Sequence, residues 1–301
     1  MPQRESEQNA RHDEQPVRGK PFSPSLRWME VACRSAIELL RLKQRAKLLA
    51  ASHPGNPEVF HGLERETFLK ISAIMGEGLG WRFTHNSDLP QTDVEDRFVY
   101  IANHPTLTAC WPWGYFMEDN FGGNMVAVAK KEFIENPVLR WLLGDLMLTT
   151  RKGIFVDRDN HDEAVSAIQN DAAAVLTPGT GAVIFPDAHR PYPRRIRNQQ
   201  REWNGKRPDL EVSEWMTETC FPKSGGLWNF SKAIEGLDCV RFLDCTVVEP
   251  ESVYEFGGEL HFDVREITRR ELLGEPESEG HLRDKLVELW KRKNQMIRER
   301  R

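Results

Sequence analysis

At 301 residues the chain is long enough for one large or two modest domains. Apolar residues make up 39% and charged ones 29%, a balance that fits an ordered core with polar ends. A net charge of −5 argues against a general nucleic-acid binder. The cysteines are Cys33, Cys110, Cys220, Cys239 and Cys245, an odd number without a C-x-x-C pair, so they indicate neither a disulfide framework nor a zinc site. A reducing compartment is the simplest expectation.

The first twenty residues lack the apolar core of a signal peptide. No stretch reaches the roughly 18 uncharged apolar residues that a spanning helix needs. The expectation is a cytoplasmic protein that either stays in solution or lies on a membrane without crossing it.

Residues 1–22 are polar and expected to be disordered. A helical region is expected over 23–79. Its first helix runs from Pro24 to Ala50, with Ser23 as N-cap and Pro24 at the first helical position. Leu26, Met29, Cys33, Ile37 and Leu40 recur at helical spacing and form an apolar stripe, flanked by Arg27, Arg34 and Arg41. Such a stripe either packs on the domain or lies at a membrane interface with its arginines on lipid phosphates.

From 80 to 270 short apolar runs alternate with helical patterns. Strands are expected at "RFVYIAN" (97–103), "NMVAVAK" (124–130), "GIFVDR" (153–158), "GAVIFPD" (181–187), "VRFLDCTVVEP" (240–250) and "ELHFDVREI" (259–267). Asn160 and Glu163 stand three apart at the start of a helix ending near Leu176, so His161, Asp162 and Glu163 read as a helix start rather than a metal site. Residues 194–215 are polar and arginine-rich and are expected to form an insertion or long loop. The segment 271–301 reads as a linker followed by a basic amphipathic helix. The fold class is α/β: a single domain with a central, mostly parallel or mixed sheet flanked by helices, plus N- and C-terminal amphipathic helices.

Ligands in α/β folds gather at the carboxyl ends of strands. Those ends here carry Asn103-His104-Pro105, Asp157-Arg158-Asp159 and Pro186-Asp187-Ala188-His189-Arg190. The stretch "CFPKSGGLWNF" (220–230) adds Lys223 and two glycines before a helix. One base, several fixed cations and glycine-rich backbone suit an anionic substrate and proton removal from a hydroxyl. Taken singly, each element has a structural reading too: a histidine ending a strand, or an Asp-Arg salt bridge.

Order and spacing add a resemblance. The chain resembles the glycerolipid acyltransferases typified by 1-acyl-sn-glycerol-3-phosphate acyltransferases. Their Asn-His-x-x-x-x-Asp, Gly-x-x-Phe-Ile-Asp-Arg and Phe-Pro-Glu-Gly-Thr-Arg motifs have counterparts in "NHPTLTA" (103–109), "GIFVDR" (153–158) and "FPDAHR" (185–190). Three further stretches resemble the branch that acylates lysophosphatidic acid or lysocardiolipin: "PKSGGL" (222–227), "FLDCTVV" (242–248) and "LWKRKN" (289–294). Together they cover residues 80–295.

The resemblance implies transfer of a fatty acyl group from acyl-CoA or acyl-carrier protein to a lysophospholipid hydroxyl, with no cofactor and no metal. It makes His104 the base and places Arg158, Asp187, Arg190 and Lys223 at the substrate. It also implies phospholipid biosynthesis at a membrane. Seven basic residues between Arg190 and Arg207 form either a solvated surface or an attractor for anionic headgroups and CoA phosphates.

The chain departs from the family pattern where it matters most. The carboxylate that would orient the histidine is Ala109. In the Ser-His-Asp triad, loss of that orienting role lowers turnover about 10⁴-fold. Thr106, Thr108 and Asp187 are possible partners for His104, and Glu118 and Asp119 lie within reach along the chain. In the third motif Ala188 replaces glycine and His189 replaces threonine, the latter a second titratable group and an alternative base. A catalytically silent relative that binds lipid or acyl-CoA is therefore the rival reading. An unrelated hydrolase is disfavoured, since no G-x-S-x-G elbow occurs, and "LTPGTGAV" (176–183) is no Walker A loop.

Overall fold

The apolar runs pair into one sheet whose order explains where a ligand fits. The structure is a computed structural model that describes residues 26–54, 57–121, 124–137, 140–141, 147, 153–157, 159–250 and 257–301. Helices α1 (Leu26–Ser52) and α2 (His61–Leu79) precede β1 (Trp81–His85) and β2 (Arg97–Ala102). Next come α3 (Leu107–Phe121), β3 (Asn124–Lys130), the short α4 (Glu132–Glu135), β4 (Gly153–Val156), α5 (His161–Val175) and β5 (Thr180–Ile184). The chain continues through α6 (Pro193–Lys206), α7 (Val212–Trp215), α8 (Gly225–Ala233), β6 (Val240–Val248), β7 (Gly258–Ile267), α9 (Arg269–Leu273) and α10 (Glu279–Arg300).

The seven strands lie in the order β1-β7-β6-β2-β5-β3-β4. Only β6 and β7 pair antiparallel; every other neighbouring pair is parallel. Strands β2 to β6 therefore end on one edge of the sheet. The chain moves outward from β2 to β3 and β4, returns to insert β5 between β2 and β3, and then places β6 on the far side of β2. A crevice opens where strand order reverses in this way.

The two faces of β2 feed two cores, as a period of two requires. Val99 and Ile101 join a cluster with Ile168, Leu227, Phe230, Leu286 and Trp290. Phe98, Tyr100 and Ala102 join another with Ile71, Trp113, Phe116 and Met117. The Tyr100 ring leans over Gly181 on β5, where an added Cβ would stand 2.1 Å from it.

Asn160 caps α5 as its spacing predicts, accepting from Glu163 N at 3.2 Å. The arginine-rich stretch, by contrast, is a helix and not a long loop. Proline occupies its first turn, and straight-chain Arg, Gln and Glu lose little rotamer freedom in a helix. Ile196 is buried, and Trp203 stacks on Phe221 with centroids 3.9 Å apart. That apolar face is too narrow to register as a helical stripe. The edge strand β1 also escapes sequence reading, since only Trp81 of its residues is buried and it lacks an apolar run.

The last two family-like stretches bind each other. Lys293 on α10 is wholly buried and pairs with Asp244 on β6 at 2.5 Å, also donating to Cys245 O at 2.6 Å. Asn294 accepts from three successive amides, those of Thr217, Glu218 and Thr219, at 2.7–3.1 Å. Helix α10 is thus built into the domain. The predicted residues 1–22 and Ser23 lie outside the described residues. Among the described residues no helix is long and apolar enough to cross a membrane.

Candidate active site

Strand β2 stops at Ala102, but its pairing continues through a side chain. Asn103 is buried, donates from Nδ2 to Val247 O at 3.0 Å and accepts from Val247 N at Oδ1 at 2.8 Å. The amide side chain imitates a ladder rung, so the main chain turns out of the sheet with its hydrogen bonding satisfied. The next residue is held from the other side: His104 N donates to Asp187 Oδ2 at 3.0 Å. The ends of β6 and β5 thereby fix the backbone that presents the histidine.

The ring of His104 stacks on Phe185, with centroids 4.6 Å apart and planes 28° from parallel. Its Nδ1 lies 2.9 Å from the carbonyl oxygen of Pro105. A carbonyl only accepts, so Nδ1 carries the hydrogen, and in the neutral ring the lone pair sits on Nε2. A backbone carbonyl and an aromatic face occupy the orienting role that a carboxylate would play.

Ala109 itself is wholly buried in the apolar cluster that holds Trp113 and Met117. The candidate partners of His104 are placed as follows. The Thr106 hydroxyl donates to Glu249 Oε1, and Thr106 N donates to the same oxygen at 2.9 Å. Asp187 is wholly buried and takes the His104 amide, beneath the cleft rather than in its wall. Glu118 is buried, and Asp119 pairs with Arg65 at 2.5 Å on the surface. The side chain of Thr108 and all of Arg158 lie outside the described residues.

Two adjoining hollows form a cleft over the ends of β2, β3 and β5. One, of about 450 Å³, is lined by His104, Cys110, Lys130, Arg190 and Arg195 among others. The other, of about 400 Å³, includes Lys130, Asp159, His189, Lys223 and Gly226. Phe185, Ala188 and His189 border both. Of the expected site residues, His104, Arg190, Lys223 and His189 therefore share one cleft, and Asp187 stands below it.

Cys110 stands in the wall with His104, and burial pushes its thiol up to about 12, away from the thiolate form that a nucleophile needs. Ala188 takes φ of 56°, the left-handed conformation that glycine adopts at no steric cost.

Two residues escaped sequence reading. Lys130 ends β3 and borders both hollows. Glu249 follows β6 directly and is 7% exposed. Burial raises its carboxyl above the usual range, against the hydrogen bonds from Thr106 and the charges of Arg301 and Arg190. Both lie at carboxyl ends of expected strands, and that position alone was the signal available. Among the described residues no cluster of three or more metal-ligating side chains occurs.

A histidine at the switch point of a mixed sheet, beside a cleft with lysine and arginine in its wall, is the arrangement of an α/β enzyme. Residues 81–232, half of the chain, match the family model described as Acyltransferase, and the chain belongs to that family. It is an acyltransferase.

Among solved structures, the chain is similar to the crystal structure of the 1-acyl-sn-glycerophosphate (LPA) acyltransferase PlsC from Thermotoga maritima. The TM-score is 0.50 at 15% identity, covering 89% of this chain and 99% of that one. At that identity the likeness is one of fold. No curated protein matches the sequence.

Proposed function

We propose that this enzyme moves a fatty acyl group from acyl-CoA or acyl-carrier protein to the hydroxyl of a lysophospholipid such as lysophosphatidic acid. His104 is the general base. The observation that carries this reading is the ring geometry: Nδ1–H is committed to the Pro105 carbonyl, which makes Nε2 the basic nitrogen of a residue lining the cleft.

The acceptor hydroxyl gives its proton to Nε2 as its oxygen attacks the thioester carbonyl. The C–S bond then breaks, and the leaving thiolate takes the proton back from the imidazolium. Only the two substrates take part, so no cofactor is needed. Arg190 and Lys223 hold the acceptor phosphate, joined by Lys130 and by Arg158. The Nε of Arg190 is buried and makes no hydrogen bond among the described residues, which suits a phosphate ligand.

Membrane contact follows from the acceptor, which resides in bilayers. Leu26, Met29, Ile37, Leu40 and Leu48 on α1 are exposed, and Arg194, Arg195, Arg197 and Arg201 on α6 are exposed as well. These surfaces give peripheral binding to anionic membranes and a place in phospholipid biosynthesis on the cytoplasmic side.

The test mixes purified protein with long-chain acyl-CoA, or acyl-carrier protein, and lysophosphatidic acid, and reads released thiol. His104→Ala is expected to lower turnover by about 10²–10⁴, the usual share of a general base. Absence of thiol release with either donor and every lysophospholipid or amino-lipid acceptor would overturn the proposal. It would leave the silent lipid or acyl-CoA binder, the reading that Ala109 favours.

A further inference from the structure

We infer that Glu249 is the positioning carboxylate of this enzyme and acts on His104 through the peptide bond between Pro105 and Thr106. This rests on His104 being the base proposed above.

The geometry involves one amide group. Its carbonyl, Pro105 O, accepts from His104 Nδ1 at 2.9 Å. Its N–H, on Thr106, donates to Glu249 Oε1 at 2.9 Å. The order is carboxylate, N–H, C=O, imidazole N–H. An anion accepting from the amide hydrogen draws the peptide toward its charge-separated resonance form and puts more negative charge on the carbonyl oxygen. Chained hydrogen bonds strengthen one another by an estimated 10–30% per bond. The oxygen facing Nδ1 thus carries part of what a direct carboxylate would supply. No proton crosses the peptide; the effect is polarisation and orientation.

Two further features fit this role. Glu249 is 7% exposed, so water screens its charge little. The same burial raises its carboxyl, while the two Thr106 donors and the charges of Arg301 and Arg190 oppose that rise and favour the anion. The Thr106 hydroxyl donates to the same Oε1, so this oxygen is fixed on the amide rather than turned elsewhere. The position where the family keeps its carboxylate holds Ala109 among apolar side chains. One carboxylate has been lost from α3, and another reaches the same histidine from the end of β6.

The charged and titratable groups facing this assembly are Arg190 after β5, Arg301 after α10, Cys110 on α3, and Asp187 at the His104 amide. They are held constant by changing Glu249 alone. The experiment is an NMR titration of the His104 ring in the full chain, with His104→Gln for assignment, in wild type, Glu249→Gln and Glu249→Asp. Glu249→Gln is expected to lower the His104 pKa by about one unit, the low end of what a nearby opposite charge supplies. Turnover is expected to fall about tenfold or more, short of the 10⁴ seen for a direct triad carboxylate, with KM for the lysolipid unchanged. Glu249→Asp should restore much of both.

A folded Glu249→Gln chain with an unchanged ring pKa overturns the inference. If that variant does not fold, the wild type carries the decision. The Thr106 amide proton should move with His104 protonation and again with Glu249 protonation. An amide that ignores the histidine overturns the relay. These titrations need no turnover. A chain that shows the coupling but releases no thiol refutes the acyltransfer reading and spares the relay, and an active chain without coupling does the reverse.

Discussion

Helices α1 and α10 look alike in the sequence and stand in opposite environments. Each carries an apolar stripe beside basic residues. On α10, Leu282, Leu286, Leu289 and Trp290 are buried in the main core, and Lys293 is wholly buried with them. On α1 the buried face is Val31, Ser35, Leu42, Lys43 and Ala46, while Ile37 is 48% and Leu40 49% exposed. The stripe formed by Leu26, Met29, Cys33, Ile37 and Leu40 faces away from the domain. Helical periodicity locates an apolar face, and only tertiary partners decide what covers it. On α10 that partner is the sheet; on α1 it is absent from the described residues.

The contrast predicts opposite costs. Lys293→Met should destabilise the fold by about 3 kcal/mol, the low end for breaking a buried pair, because Asp244 then keeps only its contact to Arg292. Denaturant unfolding checks this. The double change Lys293→Met with Asp244→Leu sharpens it: removing both charges should recover most of that loss, since a buried pair is often replaceable by apolar packing. A double variant as unstable as the single one would mean that the bonds of Lys293 to Cys245 O and Thr246, or the pairing of Arg292 with Asp244, carry the stability instead.

The sheet edge that carries the cleft lies between these extremes, partly buried and locally strained at Ala188. Ala188→Gly should stabilise the protein by about 1 kcal/mol by relieving a left-handed backbone at a non-glycine residue. Thermal unfolding measures it. A loss of stability would show that the alanine methyl, beside both hollows, packs better than the backbone conformation costs.

What the sequence made legible follows the same line. The strands β2 to β7 were readable because their apolar runs bury both or one face of a central sheet, and Asn160 was readable because a cap is local. His104, Arg190 and Lys223 were legible as residues near the strand ends, and they border one cleft. The helical nature of α6 was not legible, since Ile196 and Trp203 make too thin an apolar face. Nor was the role of Glu249. It depends on β6 lying beside β2, a pairing that joins residues more than a hundred positions apart and leaves no mark in either segment. Ala109 announced a missing carboxylate, but its replacement was encoded in tertiary register.

The smallest effect on stability belongs to α1, and there it discriminates most. Ile37→Gln with Leu40→Gln should change unfolding free energy by no more than about 0.5 kcal/mol per site, because both side chains already face away from the core. Vesicle flotation should respond very differently. If these side chains enter the interface, each contributes about 1.5–3 kcal/mol, so the pair should cost well over tenfold in binding to anionic vesicles. Arginines near the surface add about 1 kcal/mol each, so binding should also weaken with salt and with neutral lipid. Unchanged flotation with unchanged stability would leave the exposed stripe to another partner, such as a protein. A large loss of stability would instead show that α1 is held like α10, by a cover supplied from outside the described residues.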